Sequence, residues 1–327
     1  MKEKQKTKIK LILKIIVSIA LIYYIIQRIG LEEIYSQVRE VELIYFAFVI
    51  FIFIFNIMIS AKKWQILLKA KGESRKFLQV WKFYYIGNFF NMFLPTNVGG
   101  DVVKAHKMSK ISKTSIEAYS SVFMERFTGL IAIIALATVS TTLFFEHIGR
   151  EIVLIIYGLF LPLIVVSFLL LSSDRFIRWA KKLSEFVFRK IDPFSIKKRS
   201  IKMLKSINLY MKKRRTIGSA LLISFIYHSL LIISNYILGI AVGIDISMYY
   251  FFIFIPITHI ILFLPISIRG LGVREVIYVY FFTQVGATGA QAFSLSILVQ
   301  IMGVISSLIG GFVYLSSKLK KMKSMSE

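Results

Sequence analysis

The sequence predicts an all-α polytopic membrane protein, with six full transmembrane helices plus two opposed re-entrant helical hairpins in an inverted repeat. Three observations carry that reading. Hydrophobic residues make up 57% of the chain, mean hydropathy is +0.71, and the apolar residues gather in runs of roughly 20, the length that suits a hydrocarbon layer about 30 Å thick. The basic residues sit in the gaps between those runs, where they set topology. Two stretches about 170 residues apart also echo each other: Phe93-Leu94-Pro95-Thr96-Asn97-Val98-Gly99-Gly100-Asp101 and Phe263-Leu264-Pro265-Ile266-Ser267-Ile268-Arg269-Gly270-Leu271-Gly272. Each breaks a hydrophobic helix, and such breaks at matching places in two halves of a membrane chain point to a midplane substrate site.

Charge asymmetry orders the elements. Lys2, Lys4, Lys6, Lys8 and Lys10 precede an apolar run from Leu11 to Ile29. That run is long and lacks a small-residue cleavage site, so it is expected to be a retained first span leaving a cytoplasmic N-terminus. Glu32, Glu33 and Glu40 follow outside, and Val41 to Ala61 returns. Lysines and arginines from Lys62 to Lys82, and again from Lys104 to Lys113, put both flanks of residues 83–103 in the cytoplasm. This stretch is therefore expected to enter and leave by the same face, as a first re-entrant hairpin. Ile116 to Phe145 crosses outward, past a short loop holding Glu146 and Glu151, and Ile152 to Leu171 crosses inward.

Residues 174–215 carry 15 basic against 3 acidic side chains, the largest positive-inside signal in the chain. Within them Phe176, Trp179, Leu183, Phe186 and Val187 recur at helical spacing against Arg178, Lys181, Lys182 and Arg189, with Pro193 beyond. That pattern predicts a basic amphipathic helix lying on anionic inner-leaflet lipids. Ile217 to Val242 goes out, and Gln291 to Leu315 comes in to a tail carrying Lys318, Lys320, Lys321 and Lys323. What lies between, 249–285, must start and finish outside, which makes it the second hairpin. The whole of 1–327 is expected to form one integral membrane domain of the cell membrane, both termini cytoplasmic.

Composition also excludes function classes. A formal net charge of +25 suggests nucleic acid, but its placement between apolar runs matches a lipid surface, so no nucleic-acid partner is expected. The chain has no cysteine and four histidines, His106, His147, His228 and His259, so no metal or redox cofactor is expected. No Walker loop, nucleophile elbow or zinc-helix motif occurs. Transport by unaided ATP hydrolysis is thereby excluded.

Ionisable groups at membrane depth are costly and mark function. Asp101 and Lys104 follow Gly99 and Gly100 at the first break; Arg269, Arg274 and Glu275 surround Gly270 and Gly272 at the second; Glu125 and Arg126 lie two to three turns into the span from Ile116. Glycines let backbone amides approach a ligand, and half-helix N-termini add positive dipole. These eleven residues form the candidate substrate site, suited to an anion such as a lipid phosphate. Glu125 and Arg126 point about 100° apart on a helix, so one natural arrangement pairs Arg126 with Asp101 and Glu125 with Arg274 or Arg269. Buried ion pairs that fix helix register are the alternative reading of the same residues.

The runs LPTNVGGDVVKAHKMSK, SSVFMERFTGL and FLPISIRGLGVREVIYVYFF together resemble, in order and spacing, the lysylphosphatidylglycerol synthase transmembrane-region family, the flippase-like domain of the multiple peptide resistance factor. In that family the first motif usually reads Pro-Gly-x-x-Gly-Gly-Asp followed by a basic residue; Thr96 stands at the glycine position here and Lys104 at the basic one. The resemblance implies lipid translocation. Some members carry a cytosolic transferase that attaches lysine to phosphatidylglycerol, and the span running up to Glu327 is expected to leave no room for one. Archaeal relatives fused to glycosyltransferases point instead to polyprenyl-phosphate-linked sugars.

The expected function is a lipid flippase or scramblase acting on an anionic or aminoacylated phospholipid or a polyprenyl-phosphate lipid. The alternatives are a lipid-modifying transferase using Asp101, Glu125 or Glu275 as general base, and a membrane subunit presenting 174–215 to a soluble partner. A homo-oligomer or a separate soluble transferase completes the expected partners.

Overall fold

The computed structural model describes residues 16, 19–27, 29–39, 42–93, 98–144, 153–154, 156–187, 196–263, 267 and 270–326. Among them every regular element is helical. In chain order these are α1 (Leu31–Arg39), α2 (Leu43–Ala70), α3 (Phe77–Phe93), α4 (Gly99–Ser109), α5 (Ser115–Leu143), a π-helical turn (Ile156–Phe160) running into α6 (Leu161–Ser172), α7 (Asp174–Val187), α8 (Ile196–Met211), α9 (Arg214–Ala241), α10 (Met248–Leu262), α11 (Val273–Thr283) and α12 (Gly289–Ser326).

Among the described residues four helices are long and apolar enough to cross a bilayer: α2, α5, α9 and the Gly289–Ser317 part of α12, with mean hydropathies of 2.6, 1.8, 1.9 and 2.1. With backbone hydrogen bonds closed inside each segment, helices are what a lipid solvent permits. The chain is thus a multi-pass membrane protein. Four of the six expected crossings coincide with these helices. Of the first, 11–29, the described residues are 16, 19–27 and 29. The stretch expected to span at 152–171 is described as the π turn and the 12-residue α6. At 1.5 Å per residue α6 alone rises about 18 Å, short of a bilayer.

Both breaks lie where the Pro and Gly residues predict them. The first separates α3 from α4, so its arms extend past the expected 83–103 limits to Phe77 and Ser109; the second separates α10 from α11, close to the expected 249–285. Each arm rises only about 16–26 Å.

The chain divides into two compact units, one of Met1–Met58, Tyr85–Asp101 and Tyr227–Glu327, the other of Ile59–Tyr84 and Val102–Ile226. In the first, α11 packs along α12 and against α10, and α12 also receives α1. Aromatic rings fill the α10–α11 contact: Phe254 stacks on Phe281 at 4.9 Å, and Phe251 lies 4.8 Å from Phe282. The second unit has two apolar clusters. Trp64, Leu68, Val80, Ala105, Met108, Ala118 and Val122 form one. Leu67, Met124, Phe127, Ile207, Tyr210, Met211, Ile217 and Ala220 form the other.

The second cluster adds an element within the basic stretch 174–215, at residues 196–211. Those residues form α8, whose stripe of Met203, Ile207, Tyr210 and Met211 packs on α5. Tyr210 donates to the Leu67 carbonyl at 2.9 Å, and the Ser120 and Ser206 hydroxyls share a bond of 2.8 Å. Four lysines and Arg199 interrupt the apolar residues there, which hid the period. The amphipathic helix expected before Pro193 is α7; residues 188–195, Pro193 included, lie outside the described set.

Candidate functional site

Each unit holds a polar centre beside a helix break. In the second unit, Lys104 stands in the second turn of α4 and Glu125 inside α5, at 2% and 4% exposure. The Lys104 ammonium donates to Glu125 Oε2 at 2.6 Å and the Tyr84 hydroxyl donates to Oε1 at 2.8 Å. The same ammonium lies over the Tyr84 ring at 4.0 Å and the Trp64 ring at 5.3 Å, where an aromatic face stabilises a desolvated cation. Trp64 is fixed in turn by donating to Ser121 Oγ at 2.9 Å. Lys63, buried on α2, donates to the Glu125 backbone carbonyl and to Ser224 Oγ, both at 3.0 Å. Both Glu125 carboxylate oxygens are therefore engaged within the unit. The sequence-based pairing of Glu125 with an arginine of the second break gives way to Lys104, which is closer in sequence and reaches α5 from the start of α4.

Asp101 is buried in the first turn of α4, and Arg126 is half-buried on α5, one residue from Glu125. Gly99 opens α4. The Gly100 N–H donates to Asn91 Oδ1 at 2.7 Å, and a Cβ there would be driven into the Gly87 carbonyl oxygen. Gly100 thus ties the start of α4 to α3: its amide is committed to Asn91.

In the first unit, Gly270 and Gly272 have φ of +80° and +81°, a backbone that favours glycine. They turn the chain into α11. The Gly272 N–H donates to Glu275 Oε2 at 2.6 Å, so Glu275 caps its own helix from a fully buried position. Glu275 Oε1 is buried with no hydrogen-bond partner among the described residues. Arg274, half-buried, donates to the side-chain carbonyl of Gln300 on α12. One turn on, the buried Tyr278 donates to Asn235 Oδ1 on α9 at 2.6 Å, and Asn235 donates to the Leu231 carbonyl at 2.7 Å. Arg269 lies outside the described residues.

Sequence reasoning missed Lys63, Tyr84, Asn235, Tyr278 and Gln300. A signal existed for the first. Asn56, Ser60 and Lys63 fall at helical spacing inside the apolar run of α2, and all three are buried, the mark of a polar stripe facing protein and not lipid. Among the described residues no group of His, Asp or Glu is arranged to hold a metal.

The family model described as the lysylphosphatidylglycerol synthase TM region matches residues 11–311, a stretch that takes in both helix breaks and both polar centres. A UPF0104 membrane protein of Pyrococcus horikoshii is 24% identical over 326 residues, covering 94% of this chain and 97% of its own length. No solved structure matches.

Proposed function

The chain belongs to the lysylphosphatidylglycerol synthase TM region family, and from that premise we propose that it is a flippase- or scramblase-like transporter of an anionic, aminoacylated or polyprenyl-phosphate lipid in the cell membrane. The two broken helix pairs act as re-entrant hairpins, and both termini face the cytoplasm. The observation that carries this reading is Arg274. A half-buried guanidinium at a helix break donates to the neutral Gln300 amide and not to a carboxylate, so its charge is available to a phosphate, with which it can form paired charge-assisted hydrogen bonds. Arg269, at the same break, is the second phosphate contact. Lys104 and Glu125 act first on each other, holding α4 against α5; Asp101, Arg126, Gly99 and Gly100 shape the first hairpin.

The test is translocation in proteoliposomes holding a fluorescent anionic lipid, read as protection from a membrane-impermeant quencher. Arg274→Ala protein with an unchanged melting profile is expected to flip at least about tenfold more slowly, the loss of one charge-assisted contact. Flipping at the wild-type rate by that variant removes Arg274 from the transport path.

A further inference from the structure

Outside both polar centres, the second unit carries a cleft of about 700 Å³ where α5 begins, lined by His106, Ser109, Ser115, Tyr119, Arg199 and Lys202, among others. We propose that this cleft is a phosphate-ester recognition site separate from the transport path.

Four features converge on it. Arg199 and Lys202 stand three residues apart on α8 and so share one helix face; both are exposed, and neither forms an ion pair among the described residues. Among the described residues no carboxylate lines the cleft. The Ser115, Ser200 and Tyr119 hydroxyls supply neutral donors beside the cations, while the Ser109 hydroxyl already donates to the His106 carbonyl at 2.8 Å. Ser115 and Ile116 open the 29-residue α5, where first-turn N–H groups have no carbonyl four residues back within the helix, and the N-cap Thr114 hydroxyl accepts from Glu117 N and not from them. Free amides at the positive end of a long helix favour an anion. Together these give two cations, a helix terminus and hydroxyl donors with nothing anionic among them, the donor set a dianionic phosphate requires.

The adjoining cleft, about 590 Å³, shares Ile116 and Lys202 but does not compete. It holds Glu117, and two of its lysines are already used: Lys71 donates to the Ser206 carbonyl at 2.6 Å and Lys213 to the Ala70 carbonyl. The volume of the first cleft exceeds that of a phosphate group alone, so a headgroup-sized ester fits. α5 is of membrane-spanning length, which puts its first turn at the boundary where either a lipid headgroup or a soluble phosphate is within reach.

The experiment uses the purified full chain in detergent, with inorganic phosphate in one arm and short-chain phosphatidic acid in the other. Thermal stabilisation is read at constant ionic strength, against sulfate and against a short-chain zwitterionic lipid. A specific ligand raises the melting temperature with concentration. Arg199→Ala and Lys202→Ala, both at exposed positions, are each expected to weaken binding by about fivefold to tenfold and the double variant further. Lys205→Ala, which lines only the neighbouring cleft, is expected to leave it unchanged. Stabilisation by inorganic phosphate identifies a soluble ligand; stabilisation by phosphatidic acid alone identifies a headgroup. The proposal is overturned if neither ligand stabilises, if sulfate or the zwitterionic lipid does so equally, or if the double variant responds like the wild type. Because the readout is binding, failure here leaves the Arg274 transport test untouched.

Discussion

Lys104 and Arg274 are both cations held next to a break in an apolar helix pair, yet the first has a carboxylate at 2.6 Å and the second a carboxamide. Around Lys104 the structure spends Glu125, two aromatic rings and a tyrosine hydroxyl on one charge. Around Arg274 it leaves a guanidinium with a neutral acceptor and, one residue on, a carboxylate committed to capping its own helix. A buried cation paired with a carboxylate locks helices; a cation whose hydrogen bond among the described residues goes to a neutral amide retains affinity for an incoming anion. On the proposed reading, buried charge alone therefore does not mark the transport site, and the identity of the partner distinguishes the two centres.

The largest effect should come from breaking the closed pair. Glu125→Ala leaves Lys104 buried without its counter-ion, and removing one partner of a buried pair costs about 3–5 kcal/mol. The variant is expected to be recovered in poor yield, or to melt far below the wild type in detergent. Lys104→Met with Glu125→Leu, which removes both charges together, should recover much of that loss. Equal melting of Glu125→Ala and wild type would show that the pair does not hold α4 on α5.

The next prediction converts one centre into the other. Gln300→Glu puts a carboxylate where Arg274 now finds an amide, so the arginine should become as self-satisfied as Lys104. Transport of an anionic lipid is expected to fall roughly tenfold, about 1.4 kcal/mol, while thermal stability is kept or raised. Stability read beside rate separates this outcome from simple misfolding. Faster transport in Gln300→Glu would mean that the site prefers a cationic group.

How far the residues announced these centres differs between them. The helical class, the four long spans and both breaks were legible, because a bilayer imposes length and hydropathy on each segment and Pro and Gly punctuate helices without needing a partner. The burial of Asp101, Lys104, Glu125 and Glu275 was legible too, as charges in apolar surroundings. Their partners were not. Lys104 to Glu125 is a contact between α4 and α5, and Arg274 to Gln300 one between α11 and α12; neither follows from one-dimensional spacing. α8 was lost for a related reason: its apolar stripe becomes visible only when Tyr210 and Ile207 are seen against α5.

The two breaks also differ in what their glycines do. Gly100→Ala would force a methyl group into the Gly87 backbone carbonyl, which cannot move without displacing α3, whereas Gly270→Ala meets only the end of the Leu262 side chain but must keep φ at +80°. Overpacking against backbone costs about 1–3 kcal/mol, and a left-handed residue about 1–2 kcal/mol. Gly100→Ala is expected to lower the melting temperature by at least as much as Gly270→Ala. A tolerated Gly100→Ala would mean that the arms of the first hairpin are not held at the closeness seen here.

The smallest effect concerns the short connection after α2, where neighbouring groups respond to pH with the same slope in different windows. Burial pushes the Glu73 carboxyl upward, but the Lys113 backbone N–H at 2.5 Å and the Arg75 guanidinium at 2.6 Å outweigh it and hold its pKa below the ordinary 4.5. The stability it supplies is present above pH 4.5 and is lost as pH falls through the lower folded value. Lys71 is lowered from 10.5 to about 8, first by burial and then by Lys213. Its folded form sheds a proton that the unfolded chain keeps, so its contribution grows as pH rises from about 8 to 10.5. With the exposed side of the Glu73 pair in solvent, its worth is about 0.2–1 kcal/mol. Melting curves across pH should show Glu73→Gln flattening only the acid limb and Lys71→Met only the alkaline limb. An acid limb unchanged by Glu73→Gln would place the acid-sensitive carboxylate elsewhere.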